Sequence, residues 1–307
     1  MGRRRRSSPD SRVPAVFAPA KVNLFLHVGA PEPSGYHPIC SLMTFADVGD
    51  RVSAAGADAL DLVVDGPFAR ELAGEGDNLV LRAARALIAE ARRPVPPIAL
   101  RLEKRLPVAS GLGGGSSDAG AALRLMREAL ALDVSDARLE AVAASLGADG
   151  AACLWGRPAL AQGRGERLSP APAMPVLDAV LVNPGAPVST ADVYRRFDAA
   201  GAFGSVEPPA APEAFESPQE VAAWLAGQRN DLEAPALAVA PAVGAALETL
   251  RAEPETLLAR VSGSGGTCFA LCAGDIEAES LAERLQALAP DWWVVRCRLG
   301  GPSPDAA

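Results

Sequence analysis

The chain of 307 residues is short of the residues that most often announce a site. It has two histidines, His27 and His37, which excludes a histidine-rich metal centre. Its five cysteines, at 40, 153, 268, 272 and 297, are odd in number, scattered, and without a Cys-x-x-Cys pair. Cys268 and Cys272, in CFALC, sit at alternating positions of an expected strand, so buried free thiols are the plain reading. No apolar run reaches the roughly 18 residues of a membrane span. The longest, APALAVAPAVGAAL, is twice broken by proline, and no membrane association is expected. An export signal is also missing, because Lys21 interrupts the first apolar stretch, VFAPAKVNLFL. A reduced, cytoplasmic chain is therefore expected. Glycine-rich signatures of common nucleotide sites are incomplete: no Gly-Lys-Ser/Thr follows the loop of a Walker A, and neither His-Arg-Asp nor Asp-Phe-Gly of the protein kinases is present.

What is present is 49% apolar residues, enough for a sizeable core, and a length that suits about two domains. Residues 1–12, MGRRRRSSPDSR, read as a disordered basic arm. The rest holds 24 basic against 36 acidic residues. An acidic body argues against a nucleic-acid surface, and no nucleic-acid partner is expected. No fixed-period repeat appears. AVFAPAKVNLFLHV reads as a strand, PEPSGYHPI as a turn-rich loop, and DNLVLRAARALIAEARR as a helix capped by Asn78. IALRLEKRL alternates as a half-buried strand, SDARLEAVAASLG is a helix capped by Ser135, and residues 163–178 thicken in glycine and proline at a boundary. Further on come a strand (AVLVNPG), a helix in PEAFESPQEVAAWLAG, a helix from Pro235 to about Leu250, a strand (TCFALCA), a helix (AESLAERLQAL) and a strand (WWVVRCRL). Strands and helices interleave without a regular βαβ period, so the fold class is α+β, in two domains.

The most telling stretch is PVASGLGGGSSDAGAALRL, at 107–125. Four glycines and three serines stand directly before a helix whose Leu123, Met126 and Leu130 share a face. Glycine permits positive φ and close backbone approach, and the first N–H groups of a helix lack internal partners at the positive end of its dipole. The pattern points to a loop that closes on phosphate, with Ser116 and Ser117 as helix caps or hydroxyl donors. A plain turn would need one or two glycines.

This stretch resembles the phosphate loop of the GHMP kinases, the superfamily of galactokinase, homoserine kinase and mevalonate kinase. PAKVNLFLHV, GYHPICSLMTFADVGDRV, LGADGAACLWGRPALAQGRGE, NPGAPVSTADVY, RNDLE and VSGSGGTCFALC follow in the order of the branch whose acceptor is a cytidine diphosphate conjugate of methylerythritol. The resemblance spans about residues 13–299. It implies a two-domain GHMP kinase fold: a ribosomal-S5-domain-2-like domain over 13–170, a ferredoxin-like α/β sandwich over 171–300, and an active site in the cleft between them. The arm (1–12) and a tail (301–307) stay outside. It implies ATP-dependent phosphorylation of the acceptor's 2-hydroxyl in the non-mevalonate isoprenoid route, releasing ADP, with Mg2+ bound mainly through ATP phosphates and no protein metal ligand assigned. A monomer or weak homodimer is expected. Another small-molecule GHMP kinase, or an inactive nucleotide-binding protein on this fold, remain the alternatives.

Residue by residue, the resemblance makes Asp149 the general base and Lys21 the group that orients and polarises. Lys21 is also odd by itself, a cation inside an apolar strand. ATP falls to Pro107, Ser110, Gly111, Leu112, Gly113, Gly114, Gly115, Ser116 and Ser117, with Asn78 and Lys104 near the adenosine. For the acceptor, Tyr36 and Tyr194, the chain's two tyrosines, are to flank the cytosine while His37 reads its polar edge. Asn23 is to touch the erythritol, and Ser189 and Thr190 the diphosphate or sugar. His27 is read as a strand side chain, the loop SGSGG at 262–266 as bordering the site, and the role of Asp231 is left open. Two departures from the family pattern stand out. Gly150 and Ala151 replace a usual Val-Pro pair after the aspartate, which is expected to loosen its loop unless the backbone compensates, and Ser110 stands where glycine is common.

Overall fold

The structure, a computed structural model, describes residues 14–74 and 76–301. The expected arm, and residues 302–307 of the expected tail, lie outside the described residues. Strands β1 (Ala15–Val28) and β2 (Ile39–Gly56) pair antiparallel over most of their length. β1 is buried from Phe17 to Val28, so every polar side chain on it must find a partner inside the protein or carry the cost of desolvation. Its register with β2 shifts between Pro19 and Lys21 and again between Asn23 and Phe25. Such irregularities re-aim side chains, and here they bracket Lys21 and Asn23.

β2 is the central strand of the first half. It pairs on its later residues with β4 (Ile98–Glu103), which carries β3 (Asp61–Asp65) in parallel, and on its earlier residues with β5 (Ala159–Gly163), itself paired with β6 (Arg167–Pro170). The glycines at 163 and 165 thus turn a hairpin, and the chain leaves this sheet after Pro170. Four helices pack here: α1 (Leu79–Glu90), α2 (Gly114–Ala129), α3 (Asp136–Leu146) and α4 (Gly150–Trp155). The Asn78 side chain accepts from the Val80 amide at 2.9 Å and starts α1 as expected. Val80, Leu87, Leu123, Met126 and Leu139 form one core with Val52, Leu100 and Leu102. Burying each such side chain is worth about 1.5–3 kcal/mol, and together they fix α2, and so its N-terminus, relative to the sheet.

The second half holds β7 (Leu177–Asn183), β8 (Thr256–Val261), β9 (Cys268–Cys272) and β10 (Trp293–Leu299) in the antiparallel order β10-β7-β9-β8. With α9 (Asp275–Leu288) between β9 and β10, this is the split βαββαβ arrangement of ferredoxin-like folds. Helices α5 (Thr190–Ala200), α6 (Pro218–Ala226), α7 (Glu233–Val239) and α8 (Pro241–Ala252) fill the crossover from β7 to β8. The single helix expected from Pro235 to about Leu250 is two. Pro241 has no N–H to continue α7 and instead occupies the first turn of α8. β8 is an addition to the expected elements, because exposed Leu257 and buried Arg260 spoil its alternation. β10 meets β2 at Leu299 opposite Ala46, so both halves share one ten-stranded sheet. Leu24, Phe25 and Leu112 pack with Leu181, Phe269 and Leu299 across the junction.

Gly150, the departure after Asp149, has a packing reason. A Cβ there would stand 2.0 Å from the Ala143 carbonyl oxygen, so α4 approaches α3 more closely than any side chain permits. Gly150→Ala is expected to force the two helices apart and lower the unfolding free energy by about 1–3 kcal/mol, a typical cost of overpacking. Denaturant titration of the variant beside the parent checks this. Equal stability would mean that the close approach is not needed.

Candidate active site

At the start of α2 the backbone is held open. Gly111 has φ +76°, and a Cβ on it would lie 2.4 Å from the Ser262 carbonyl oxygen. Gly113 caps α2 in the left-handed conformation, with no side chain accepting from the first turn. Of the two roles open to Ser116 and Ser117, capping is not the one they take: they lie inside the helix, and the Ser117 hydroxyl is fully buried. The first intrahelical bond at this end runs from the Ser117 amide to the Gly113 carbonyl at 2.9 Å. The amides from Gly113 to Ser116 have no place in the α-helical ladder, and all four residues line a cavity of about 830 Å³. That is the donor set a polyphosphate requires.

On the facing wall, the Lys21 ammonium lies 2.5 Å from Asn23 Oδ1 and 3.2 Å from Asp149 Oδ2. Asn23 Nδ2 in turn donates to the Ser41 hydroxyl at 2.7 Å, which donates to the Phe25 carbonyl at 2.7 Å. A buried cation is costly unless paired and hydrogen-bonded, and Lys21 is both. Asp149 stands just ahead of α4 without capping it, which leaves its carboxylate for Lys21. Two backbone links lock this strand to the phosphate loop. The Lys21 amide donates to the Leu112 carbonyl at 2.8 Å. The Ser262 hydroxyl accepts from the Asn23 amide and donates to the Gly111 carbonyl, both at 3.1 Å. Leu112 itself is core, and reaches the site only through that carbonyl. Cys153 lies beneath, its thiol pushed up to about 12, first by burial and then by Asp149.

Lys104 lines the same cavity, yet its ammonium is already committed, at 2.5 Å from Asp50 and 2.8 Å from Asp118. Asp50 also accepts from the Arg105 and Leu106 amides at 2.5 and 2.8 Å. The cluster sits against α2: a Cβ on Gly114 would lie 2.9 Å from the Lys104 nitrogen. Asp118 Oδ1 is buried with no hydrogen-bond partner among the described residues. Burial pushes the Asp118 carboxyl up to about 8 and outweighs the neighbouring ammonium. Asn78 lines the cavity too, although its Oδ1 is spent on capping α1.

At the far end, Tyr36, His37, Arg164, Thr190, Tyr194 and Asp198 line the wall. His37, expected to read the polar edge of the base, stands on this wall. Nδ1 lies 2.8 Å from the Gly29 carbonyl and Nε2 lies 3.0 Å from Asp198 Oδ1, so both ring nitrogens are occupied. Tyr194 packs tilted against the His37 ring, with centroids 5.1 Å apart, and its phenol is pushed up to about 12 by burial, then by Asp149 and Asp198. Tyr36 is 59% exposed, and the Arg164 guanidinium lies over its ring at 4.3 Å. Thr190 bonds to Ser264 of the second glycine loop at 2.8 Å, whereas Ser189 caps α5 and is not on the cavity wall. His27 is a buried strand residue, its imidazole lowered to about 4 chiefly by burial. Asp231, left open above, accepts from the Val28 amide at 2.7 Å and pins the end of β1.

Of the residues expected from the sequence, Lys21, Asn23, Tyr36, His37, Asn78, Lys104, Pro107, Ser110, Gly111, Gly113, Gly114, Gly115, Ser116, Asp149, Thr190 and Tyr194 share this one cavity. Leu112, Ser117 and Ser189 do not line it. Sequence reasoning passed over Asp50, Asp118, Arg164 and Asp198, and had Ser262 only as part of its glycine loop. Asp118, inside the glycine motif at a position facing the core, gave a signal that could have been used. The others become meaningful only through partners distant in sequence.

A family model described as the GHMP kinases N terminal domain matches residues 78–157, and one described as GHMP kinases C terminal matches residues 211–291. The 4-diphosphocytidyl-2-C-methyl-D-erythritol kinase of Caulobacter sp. (strain K31) is 66% identical over 287 residues, 93% of this chain and 98% of that one. The enzyme of the same name from Caulobacter vibrioides is 62% identical over 93% of this chain and 99% of its own. A crystal structure of 4-(cytidine 5′-diphospho)-2C-methyl-D-erythritol kinase superposes with a TM-score of 0.74 at 35% identity, over 94% of this chain and 100% of that chain.

The Asp118 cluster predicts a pH dependence. An unfolded aspartate titrates near pH 4. Raised to about 8 in the fold, Asp118 holds its proton longer there than in the unfolded chain. Its contribution to stability is therefore complete below about pH 4 and lost as pH rises toward about 8. Asp118→Asn, neutral throughout, is expected to flatten the fall in unfolding free energy across that window. Denaturant titrations at a series of pH values read the slope directly. The same slope in variant and parent would remove Asp118 as its source.

Proposed function

We propose, from the premise that this chain belongs to the GHMP kinase family, that it transfers the γ-phosphoryl group of ATP to the 2-hydroxyl of 4-diphosphocytidyl-2-C-methyl-D-erythritol. ADP is the co-product, and the step serves the non-mevalonate route to isoprenoid precursors. The observation that carries this reading is the Lys21–Asp149 pair, at 3.2 Å, set in the same cavity as the uncapped N-terminus of α2. The near-complete coverage of relatives that bear that enzyme's name supports the choice of acceptor.

In this reading the amides of Gly113 to Ser116 hold the phosphates, and Asp149 takes the proton of the acceptor hydroxyl as its oxygen bonds to phosphorus and ADP departs. Lys21, fixed between Asn23 and Asp149, keeps the carboxylate aimed and offers positive charge where the phosphoryl group passes. Mg2+ would supply further charge compensation on the phosphate oxygens. Among the described residues no three His, Cys, Asp or Glu side chains gather to hold a metal ion. The cytidine end of the acceptor falls to the wall of Tyr36 and Tyr194. One chain contributes every residue used here, so a monomer or weak homodimer suffices. No helix among the described residues is long and apolar enough to cross a membrane. Five buried free thiols suit a cytoplasmic, reducing compartment.

A coupled ADP-release assay with ATP, Mg2+ and a panel of the cytidine conjugate, homoserine, mevalonate and galactose is expected to give turnover with the cytidine conjugate alone. Silence on that compound, or turnover of another panel member instead, would overturn the assignment. Asp149→Asn is expected to keep ATP binding and to lose turnover by about 10²–10⁴-fold, the usual worth of a positioned base. Activity within about tenfold of the parent, roughly 1.4 kcal/mol of barrier, would exclude Asp149 from that role.

A further inference from the structure

The Lys21 ammonium rests on an amide that has two ways to face it. The Asn23 side chain carries an acceptor and a donor group on one flat unit, so half a turn about its last bond exchanges them. In one orientation Oδ1 faces Lys21, and in the other an N–H group confronts the ammonium. Lys21 lies 2.5 Å from Oδ1 of this amide and 3.2 Å from Asp149, so the orientation of Asn23 decides how the cation is held.

Ser41 removes the choice. Its hydroxyl has one proton, which goes to the Phe25 carbonyl at 2.7 Å, an oxygen that only accepts. The Ser41 oxygen is left as an acceptor, and Asn23 Nδ2 donates to it at 2.7 Å. Oδ1 is thereby turned toward Lys21, whose ammonium only donates. From Lys21 to the Phe25 carbonyl every hydrogen bond runs in one sense. Reversing the amide would take the Ser41 proton from Phe25 and set N–H against ammonium.

The strand pairing makes this reach possible. Ser41 stands on β2 opposite Leu26, and the register of β1 with β2 shifts between Asn23 and Phe25. At that irregularity one hydroxyl serves both residues. Ser41 is fully buried and does not line the cavity, so it acts on the site only through Asn23. The backbone is held by other groups. The Asn23 amide N–H donates to Ser262 at 3.1 Å, and the Lys21 amide N–H to the Leu112 carbonyl at 2.8 Å. The strand is thus fixed without Ser41, and the hydroxyl governs the side chain.

We propose that Ser41 is a positioning residue for phosphoryl transfer, which orients the Asn23 amide and through it holds the Lys21 ammonium against Asp149. The inference rests on the kinase reading above, and extends it to a residue that touches neither substrate.

The test is a double-mutant cycle in the full chain, with kcat and KM measured for ATP and the cytidine conjugate. Ser41→Ala frees the Asn23 amide to turn and is expected to lower kcat by about 10–100-fold, the scale of a small misplacement at a reacting centre. The KM for ATP is expected to stay within about twofold of the parent, because the phosphate cradle has supports of its own. Expressing kcat per ATP site, counted by calorimetry, keeps a lost folded fraction from passing as a slower step. Ser41→Thr, which retains the hydroxyl, is expected to recover most of the rate. In an Asn23→Ala background, Ser41→Ala is expected to cost less than about twofold more, since its effect passes through the missing amide. Where Ser41→Ala folds poorly, Ser41→Cys takes its place, keeping the volume with a much weaker hydrogen-bonding group.

A parent that turns over the cytidine conjugate while Ser41→Ala matches it overturns the assignment. So does an equal loss in Ser41→Thr, or a loss that recurs in full without the Asn23 amide, the mark of a merely structural role. Each of these leaves the kinase reading standing. A parent inert toward the whole acceptor panel overturns that reading, and this inference with it.

Discussion

A single buried hydroxyl joins the three segments from which the site is made. Ser262 accepts from the backbone of β1 at Asn23 and donates to the phosphate loop at Gly111, while itself belonging to the second glycine loop. The first two segments come from the first half of the chain and the third from the second half, so the relative position of the proposed base and the phosphate cradle depends on a joint between halves. Asn230 extends the joint. Its amide donates to the Val261 and Gly263 carbonyls at 2.8 Å each, and its neighbours bond to Leu26 of β1 through backbone at 3.0 and 2.9 Å. Buried hydrogen bonds of this kind add modestly to stability but are expensive to leave half-made, so the joint has one satisfied geometry.

Around that joint the protein buries two ammonium groups, and it treats them differently. Lys21 has an amide oxygen and one partly exposed carboxylate, an arrangement that stays open to the cavity. Lys104 has two buried carboxylates and is closed to further partners of that sign. Taking such charges from water costs several kcal/mol per ion, offset only by good geometry. For Lys104 the result is a rigid support under α2, held to the strand end by Asp50 and to the helix by Asp118. A residue expected near the adenosine thus serves the cradle from beneath.

What the sequence made legible was local. The glycines before α2, the Asn78 and Ser135 caps, the cation in β1 and the aspartate after Gly147 each stand out from their immediate neighbours, and the fold brings most of them to one cavity. What stayed hidden depends on partners far along the chain. Asp198 is an ordinary helix carboxylate until the loop before β2 brings His37 against it. Asp50 is one acid among many until Lys104 arrives just past the end of β4. His37 shows the same limit: the motif announces a histidine at the acceptor end, but not that the Gly29 carbonyl and Asp198 stand at its ring nitrogens. The break between α7 and α8 was local and still missed, because the apolar pattern runs across Pro241 without interruption.

The departure at residue 150 shows how a motif can change while its geometry holds. A stiff pair after the aspartate would fix the carboxylate by restricting the backbone that follows it. Glycine there lacks that stiffness, yet it allows α4 to sit directly on the Ala143 carbonyl of α3, where a side chain could not fit. The restriction moves from the local backbone to helix packing. The Gly150 amide bonds to the Gly147 carbonyl at 3.0 Å and Cys153 N–H to the Asp149 carbonyl at 2.9 Å, so the turn that carries Asp149 is closed on both sides. No side-chain cap competes for its carboxylate, and Lys21 remains within 3.2 Å. Loss of the usual residues therefore does not imply loss of the Lys21–Asp149 pair. The constraint that matters is the position of one oxygen, and close packing of two helices can impose it as well as a proline can.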